Sequence, residues 1–213
     1  MRALIFGGGE INDYDFIGAF LDEGAFIICA DGGLKHADAL GLAAGALIGD
    51  FDSVDPGLME RYVGSGRVGE IIRHNPEKDF TDMELAVGWA LERGFDGLVL
   101  LGATGSRLDH TLGNIYLLNR ALEAGKTALI ADERHELRLI RDELRLSAQR
   151  GSLLSLLPLT PAVTGVTTRG LYYPLNAETL VFGSSRGVSN VFLDTEAYVS
   201  IESGLLLSII TGV

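Results

Sequence analysis

Along the first 130 residues, short apolar runs alternate with stretches of helical period. The runs fall at 3–6, 26–30, 46–48, 70–72, 98–101 and 127–131. Continuous apolar segments of this length suit strands covered on both faces. Between them, 82–93 predicts a helix, with Leu85 and Trp89, and Ala86 and Ala90, four apart and Gly94 as its stop. A second helix is predicted over 112–124, with Ile115, Leu118 and Leu122 on one side and Gly125 after it. Strand–helix alternation predicts an α/β domain whose mainly parallel sheet is covered by helices on both faces. Beyond residue 135 the rhythm changes. Segments at 136–140, 152–157, 179–182, 197–201 and 205–210 are short, lack helical period and are separated by turn residues. They predict an all-β sandwich. The expected division is one domain over 1–131 and another over 135–213, with the boundary near Asp132–His135.

Composition narrows the function. With 213 residues, 47% hydrophobic and 22% charged, the chain has enough apolar material for a real core. Its 17 basic and 29 acidic residues give a net charge of −12. That sign removes the nonspecific attraction to nucleic acid and to anionic membranes, so neither is an expected partner. No apolar stretch approaches the roughly 20 residues of a membrane span. The single cysteine, Cys29, lies in an apolar run and cannot form an internal disulfide, which points to a reducing, cytoplasmic setting.

The candidate chemistry lies in the turns after the predicted strands. They read Gly7-Gly8-Gly9-Glu10, Asp31-Gly32-Gly33, Gly49-Asp50-Phe51-Asp52-Ser53, Lys78-Asp79-Phe80-Thr81-Asp82, and Gly102-Ala103-Thr104-Gly105-Ser106-Arg107-Leu108-Asp109-His110. In a parallel sheet these turns emerge along one edge, where open α/β folds bind ligands. Carboxylates gathered there repel one another, and a divalent cation with oxygen ligands relieves the repulsion; Mg²⁺ shares its shell with phosphates. Asp50 and Asp52, two apart, point the same way if the segment is extended. Asp79 and Asp82, three apart, share the first turn of a helix, and Asp79 is also placed to cap it. Gly102, Gly105 and the Gly7–Gly9 turn let backbone N–H groups approach phosphate oxygens. Arg107 adds a charge-assisted, bidentate contact, and Lys78 a mobile cation. His110 is either a contact to base or phosphate or a plain helix-start residue. Neither a dinucleotide fingerprint nor a Walker-type loop is present.

Taken in order, these turns resemble thiamine pyrophosphokinases. So do Gly170-Leu171-Tyr172-Tyr173-Pro174-Leu175 and Gly187-Val188-Ser189-Asn190 in the second half. The resemblance implies a catalytic α/β domain, a β-sandwich and a homodimer with thiamine bound where the subunits meet. It implies transfer of a pyrophosphoryl group from ATP to thiamine, giving thiamine diphosphate and AMP. By the same resemblance Asp50, Asp52 and Asp82 are the Mg²⁺-linked carboxylates. Asp31, Gly32, Lys78, Asp79, Thr81, Gly102, Gly105, Arg107, Asp109 and His110 surround the nucleotide and its phosphates. Tyr173, Ser189 and Asn190 line the thiamine site. Asp79, Asp82, Arg107 and Asp109 are the expected catalytic residues, with Asp109 or Asp79 orienting the thiamine hydroxyl or accepting its proton. The alternatives are a Mg²⁺-dependent nucleotide phosphohydrolase and a non-catalytic nucleotide-sensing protein.

Overall fold

A computed structural model of the chain describes residues 1–22, 24–77 and 79–212. They form two compact units, Met1–Glu133 and Arg134–Val213. The first unit runs β1 Arg2–Phe6, β2 Phe26–Ala30, α1 Leu34–Ala39, β3 Ala44–Gly49, α2 Pro56–Gly64, β4 Val68–Arg73, α3 Asp82–Glu92, β5 Gly97–Leu101, α4 Leu108–Glu123 and β6 Thr127–Ala131. The described strands of this unit pair in parallel in the order β4-β3-β2-β1-β5-β6. Strand order therefore reverses direction between β1 and β5, the switch point where such sheets open a crevice beyond their carboxyl ends.

Alternation along the strands explains the two helical layers. Leu4, Phe6, Ile27, Cys29, Leu47, Val99 and Leu101 join Leu34 and Ala37 of α1 and Leu58 and Tyr62 of α2 in one buried cluster. The intervening strand residues point to the opposite face. There α3 packs on β1, β2 and β3, while α4 packs on β6 and on α3. The predicted architecture of this half is the observed one.

Helix starts correct two details of the sequence reading. Thr81, not Asp79, caps α3: its hydroxyl accepts the Glu84 N–H at 3.2 Å. Helix α4 begins at Leu108, four residues ahead of the predicted start, because its first turn contributes nothing buried and so leaves no apolar period.

The second unit contains β7 His135–Ile140, β8 Glu143–Ser147, β9 Leu153–Pro158, β10 Ala162–Arg169, β11 Glu178–Val181, β12 Asn190–Val191, β13 Glu196–Ser200 and β14 Leu206–Thr211. One antiparallel group runs β12-β9-β14-β7 and the other β11-β10-β13-β8. Both contribute to one core that includes Ile140, Leu154, Leu156, Val163, Val199 and Phe192. This is the expected sandwich. Among the described residues, no helix is long and apolar enough to cross a membrane.

Candidate active site

The turns beyond the carboxyl ends of β1 to β5 surround a cleft of about 750 Å³ in the first unit. Residues 7–10 supply one wall and 102–107 another, and Asp31, Gly32, Asp50, Asp52, Thr81, Asp82 and His110 are among the other lining residues. Ten of the predicted site residues thus meet at one place: Asp31, Gly32, Asp50, Asp52, Thr81, Asp82, Gly102, Gly105, Arg107 and His110.

Within the cleft, carboxylate oxygens of Asp31, Asp50 and Asp82 lie within 4.8 Å of one another. Asp31 is buried, and its Oδ1 has no hydrogen-bond partner among the described residues. Burial pushes its carboxyl above the usual range, and the neighbouring Asp82 and Asp50 push it the same way. Asp52 lines the same cleft but stands outside the trio. The reason is local: Phe51 adopts φ 69°, so the segment is not extended and the two-residue period fails. Instead the Asp50 carboxylate accepts the Asp52 N–H at 3.2 Å, and the Asp52 carboxylate accepts the Ser53 hydroxyl at 2.9 Å. Asp31 also sits in the left-handed region, at φ 46°. Such non-glycine positions cost of order 1–3 kcal/mol each and persist only where the surroundings hold them. Arg73 does so for the second turn: it donates to the Asp50 carbonyl at 3.1 Å, and its guanidinium lies 4.7 Å from the Phe51 ring centroid.

The glycine wall is equally constrained. Gly7 N–H donates to Leu101 and Gly9 N–H to Gly102, at 2.8 and 3.0 Å, stitching the turn after β1 to that after β5. A side chain at Gly9 would stand 2.5 Å from the Gly102 carbonyl oxygen and 2.6 Å from that of Thr104. Arg107 is exposed and pairs with the exposed Asp109 at 2.6 Å. Through that hydrogen bond Arg107 holds the Asp109 carboxyl down to about 2. Asp109 and the exposed Asp79 are outside the residues lining the cleft. Lys78 lies outside the described residues. Three lining or supporting side chains escaped the sequence reading. Asn114 donates to the Ala103 carbonyl at 2.7 Å, Lys35 donates to the Gly8 carbonyl at 2.7 Å, and His36 lies 2.8 Å from the Gly9 carbonyl oxygen. Their only sequence signal was proximity to the Asp31-Gly32-Gly33 turn or to the start of α4.

The second unit has its own cavity, of about 210 Å³, lined by Tyr173, Ser189 and Asn190 together with Leu156, Leu175 and Arg186. The three residues predicted for this half therefore converge. Asn190 is buried and locked to the backbone of Tyr173: its Oδ1 accepts the Tyr173 N–H at 3.0 Å and its Nδ2 donates to the Tyr173 carbonyl at 2.7 Å. The Tyr173 ring stays exposed and meets Tyr172 edge-on at 4.8 Å. Ser189 is held at φ 59°, with its N–H donating to the Ser155 hydroxyl at 3.1 Å.

Comparison with known proteins identifies this arrangement. Residues 18–130 match the family described as the catalytic domain of thiamin pyrophosphokinase, and residues 135–206 match its vitamin B1 binding domain. The thiamine pyrophosphokinase of Bacillus subtilis is 30% identical over 207 residues, covering 96% of each chain. A crystal structure of the Bacillus subtilis enzyme superposes with a TM-score of 0.91 at 27% identity, covering 100% of this chain and 99% of that one. The Geobacillus thermodenitrificans thiamin pyrophosphokinase structure gives 0.86 at 27% identity, covering 100% and 98%. The chain belongs to the thiamine pyrophosphokinase family. It is an enzyme, and its function is the family's transfer of a pyrophosphoryl group from ATP to thiamine.

Proposed function

We propose that the acidic cleft of the first unit is where this enzyme binds ATP and Mg²⁺, and that the cavity of the second unit contributes to thiamine binding. The observation that carries the first assignment is the trio of Asp31, Asp50 and Asp82 oxygens within 4.8 Å in the cleft beyond the carboxyl ends of the strands. An all-oxygen, anionic donor set with a buried, unbonded Asp31 oxygen suits a hard divalent cation. Asp31, Asp50 and Asp82 would hold the ion, with Asp52 close by in the same lining. Bound there, Mg²⁺ supplies positive charge to neutralise the triphosphate.

The chain's own groups do the rest. Attack occurs at the β-phosphorus with AMP as leaving group, so nucleophile and leaving oxygen must be held in line. Arg107 turns from Asp109 to a phosphate oxygen and stabilises charge on the transferred group. The turns at residues 7–10 and 102–105 present backbone N–H groups, and the Thr81 hydroxyl has a hydrogen to donate while its oxygen caps α3. Lys78 adds a cation. His110 stands on the first turn of α4 in the lining, positioned for the nucleotide. For the thiamine hydroxyl the two carboxylate candidates are Asp109 and Asp79. When Arg107 turns to phosphate, the Asp109 carboxylate is released from that hydrogen bond and is free to orient the hydroxyl or accept its proton.

In the second unit Tyr173 offers an exposed aromatic face to the cationic thiazolium, with Ser189 and Asn190 shaping the cavity behind it. We also propose a homodimer. Supporting it, Leu108, Leu112 and Tyr116 lie four apart and exposed along α4, and Tyr172 and Phe182 are exposed on the second unit. A cytoplasmic location is supported by the single, buried Cys29, which has no internal disulfide partner. The reaction assignment is tested by incubating protein, ATP, Mg²⁺ and thiamine and following the nucleotide. AMP formed only with thiamine is expected; ADP or free phosphate would indicate hydrolysis, and unchanged ATP a sensor.

A further inference from the structure

His36 is 2% exposed and takes no part in the chemistry just described, yet it lies against the triple-glycine turn. Both ring nitrogens are engaged. Nε2 is 2.8 Å from the Gly9 carbonyl oxygen, and Nδ1 is 2.7 Å from the Tyr14 hydroxyl. A carbonyl only accepts, which assigns the ring hydrogen to Nε2; the Tyr14 hydroxyl then donates to Nδ1. Burial lowers the imidazole's affinity for a second proton, so the neutral ring is the form that makes both bonds. The ring is also walled by Phe6 and Tyr14, with centroids at 6.1 and 5.8 Å.

The consequence falls on the peptide between Gly9 and Glu10. In a trans peptide the N–H points opposite to the carbonyl. With the Gly9 carbonyl drawn to His36, the Glu10 N–H is turned the other way, and Glu10 lines the cleft. The N–H of Gly9 is already fixed on Gly102, and no side chain fits at Gly9. What remains soft is rotation of the Gly9–Glu10 peptide plane, since glycine imposes little preference of its own. We propose that His36 is a positioning residue for pyrophosphoryl transfer: its Nε2–H fixes this peptide so that the Glu10 N–H meets a phosphate oxygen of ATP, while Tyr14 holds the ring's tautomer. The proposal rests on the reading of the cleft as the ATP site.

The test compares His36→Leu, His36→Gln and Tyr14→Phe in the full chain, with KM measured separately for ATP and for thiamine. Leucine keeps bulk without a donor, whereas glutamine keeps an N–H that reaches the Gly9 carbonyl. His36→Leu is expected to raise KM for ATP about tenfold, the size of one lost, well-oriented hydrogen bond. KM for thiamine should stay within about twofold, and His36→Gln should recover most of the loss. Tyr14→Phe should raise KM for ATP about threefold, in keeping with a bond that acts only through the ring. Equal shifts for both substrates, or leucine and glutamine variants that behave alike, would overturn the proposal. If His36→Leu does not fold, Tyr14→Phe decides: an unchanged KM for ATP refutes it. Asp50→Asn is run alongside. Full activity there would remove the ATP-site reading itself, while an inactive Asp50→Asn beside a normal His36→Leu would remove only the role of His36.

Discussion

The cleft of the first unit and the cavity of the second are built from opposite materials. In the first, Asp31, Asp50 and Asp82 crowd their oxygens within 4.8 Å, and Asp31 keeps a buried oxygen unbonded. In the second, the buried polar group is Asn190, whose amide is committed on both sides to the backbone of Tyr173, and Arg186 is paired with Glu178 at 3.0 Å. Buried polar groups are ordinarily satisfied, so the unbonded Asp31 oxygen fits the proposed ligand site, and the satisfied Asn190 amide fits a structural role. Both pockets nonetheless pin a non-glycine lining residue in the left-handed region: Asp31 in one, Ser189 in the other. Backbone strain accompanies both; crowded charge and an unbonded carboxylate oxygen distinguish the pocket proposed to handle phosphates.

The contrast breaks first at its acidic end. Asp50→Asn should lower kcat about a thousandfold, the scale of losing one anchor of a charge-stabilising ion. Thiamine binding by calorimetry should change far less, because the second unit's cavity is untouched. The complementary variant, Asp31→Asn, removes one of three crowded charges while keeping a residue type that tolerates positive φ. Without divalent cations its melting temperature should rise by a few degrees, and its turnover should fall. A lower melting temperature would mean that the three carboxylates are already relieved by something other than a bound ion.

Arg107→Ala comes next, with an expected loss of about a hundredfold in kcat/KM for ATP. Its ion pair with Asp109 is exposed, and such pairs add little to stability, so the melting temperature should hold. The same variant releases the Asp109 carboxyl from about 2 toward the ordinary carboxylate range. A drop in melting temperature would make Arg107 part of the fold rather than of the chemistry.

What the sequence revealed follows the same division. Strands β2 and β6 have the bounds that their apolar runs predict, since burial on both faces leaves an unbroken signal. Strands β8 and β10 escaped notice, because Glu143–Ser147 and Ala162–Arg169 mix exposed polar residues with few fully buried ones. The convergence of the acidic turns was legible, because in a parallel sheet every strand's carboxyl end faces one edge. Which carboxylates touch was not. That depends on single positive-φ residues, which rotate Asp31 toward Asp50 and Asp82 and leave Asp52 outside the trio, and no pattern in the sequence reports a dihedral angle. His36 was hidden for a related reason: its role comes from Tyr14 and Gly9, both more than 20 positions away.

A smaller effect sharpens the second unit's half of the comparison. Asn190→Ala should raise KM for thiamine about tenfold and leave KM for ATP unchanged, because the Tyr173 backbone loses both of its anchors. Stability should fall by about 1 kcal/mol, the usual size of hydrogen bonds lost at a part-buried position. If KM for ATP rose equally, the two pockets would not divide the substrates as their chemistry implies.

The smallest expected effect uses Cys29, the chain's single cysteine, as a reporter of the first unit alone. It is fully buried within β2, two residues before Asp31, and burial pushes its thiol up to about 12. Near pH 8 the folded protein therefore carries a protonated, shielded thiol, while an opened chain has the ordinary value near 8.5 and reacts through its thiolate. The sign is fixed: raising the pH speeds labelling by an aromatic disulfide only through the open form, so the rate tracks opening of the first unit. Mg²⁺ with ATP should slow labelling severalfold by binding the closed form, and thiamine alone should slow it less. Protection by thiamine equal to that by Mg²⁺ and ATP would place the vitamin's main contacts on the acidic cleft, and the division of labour between the two pockets would have to be redrawn.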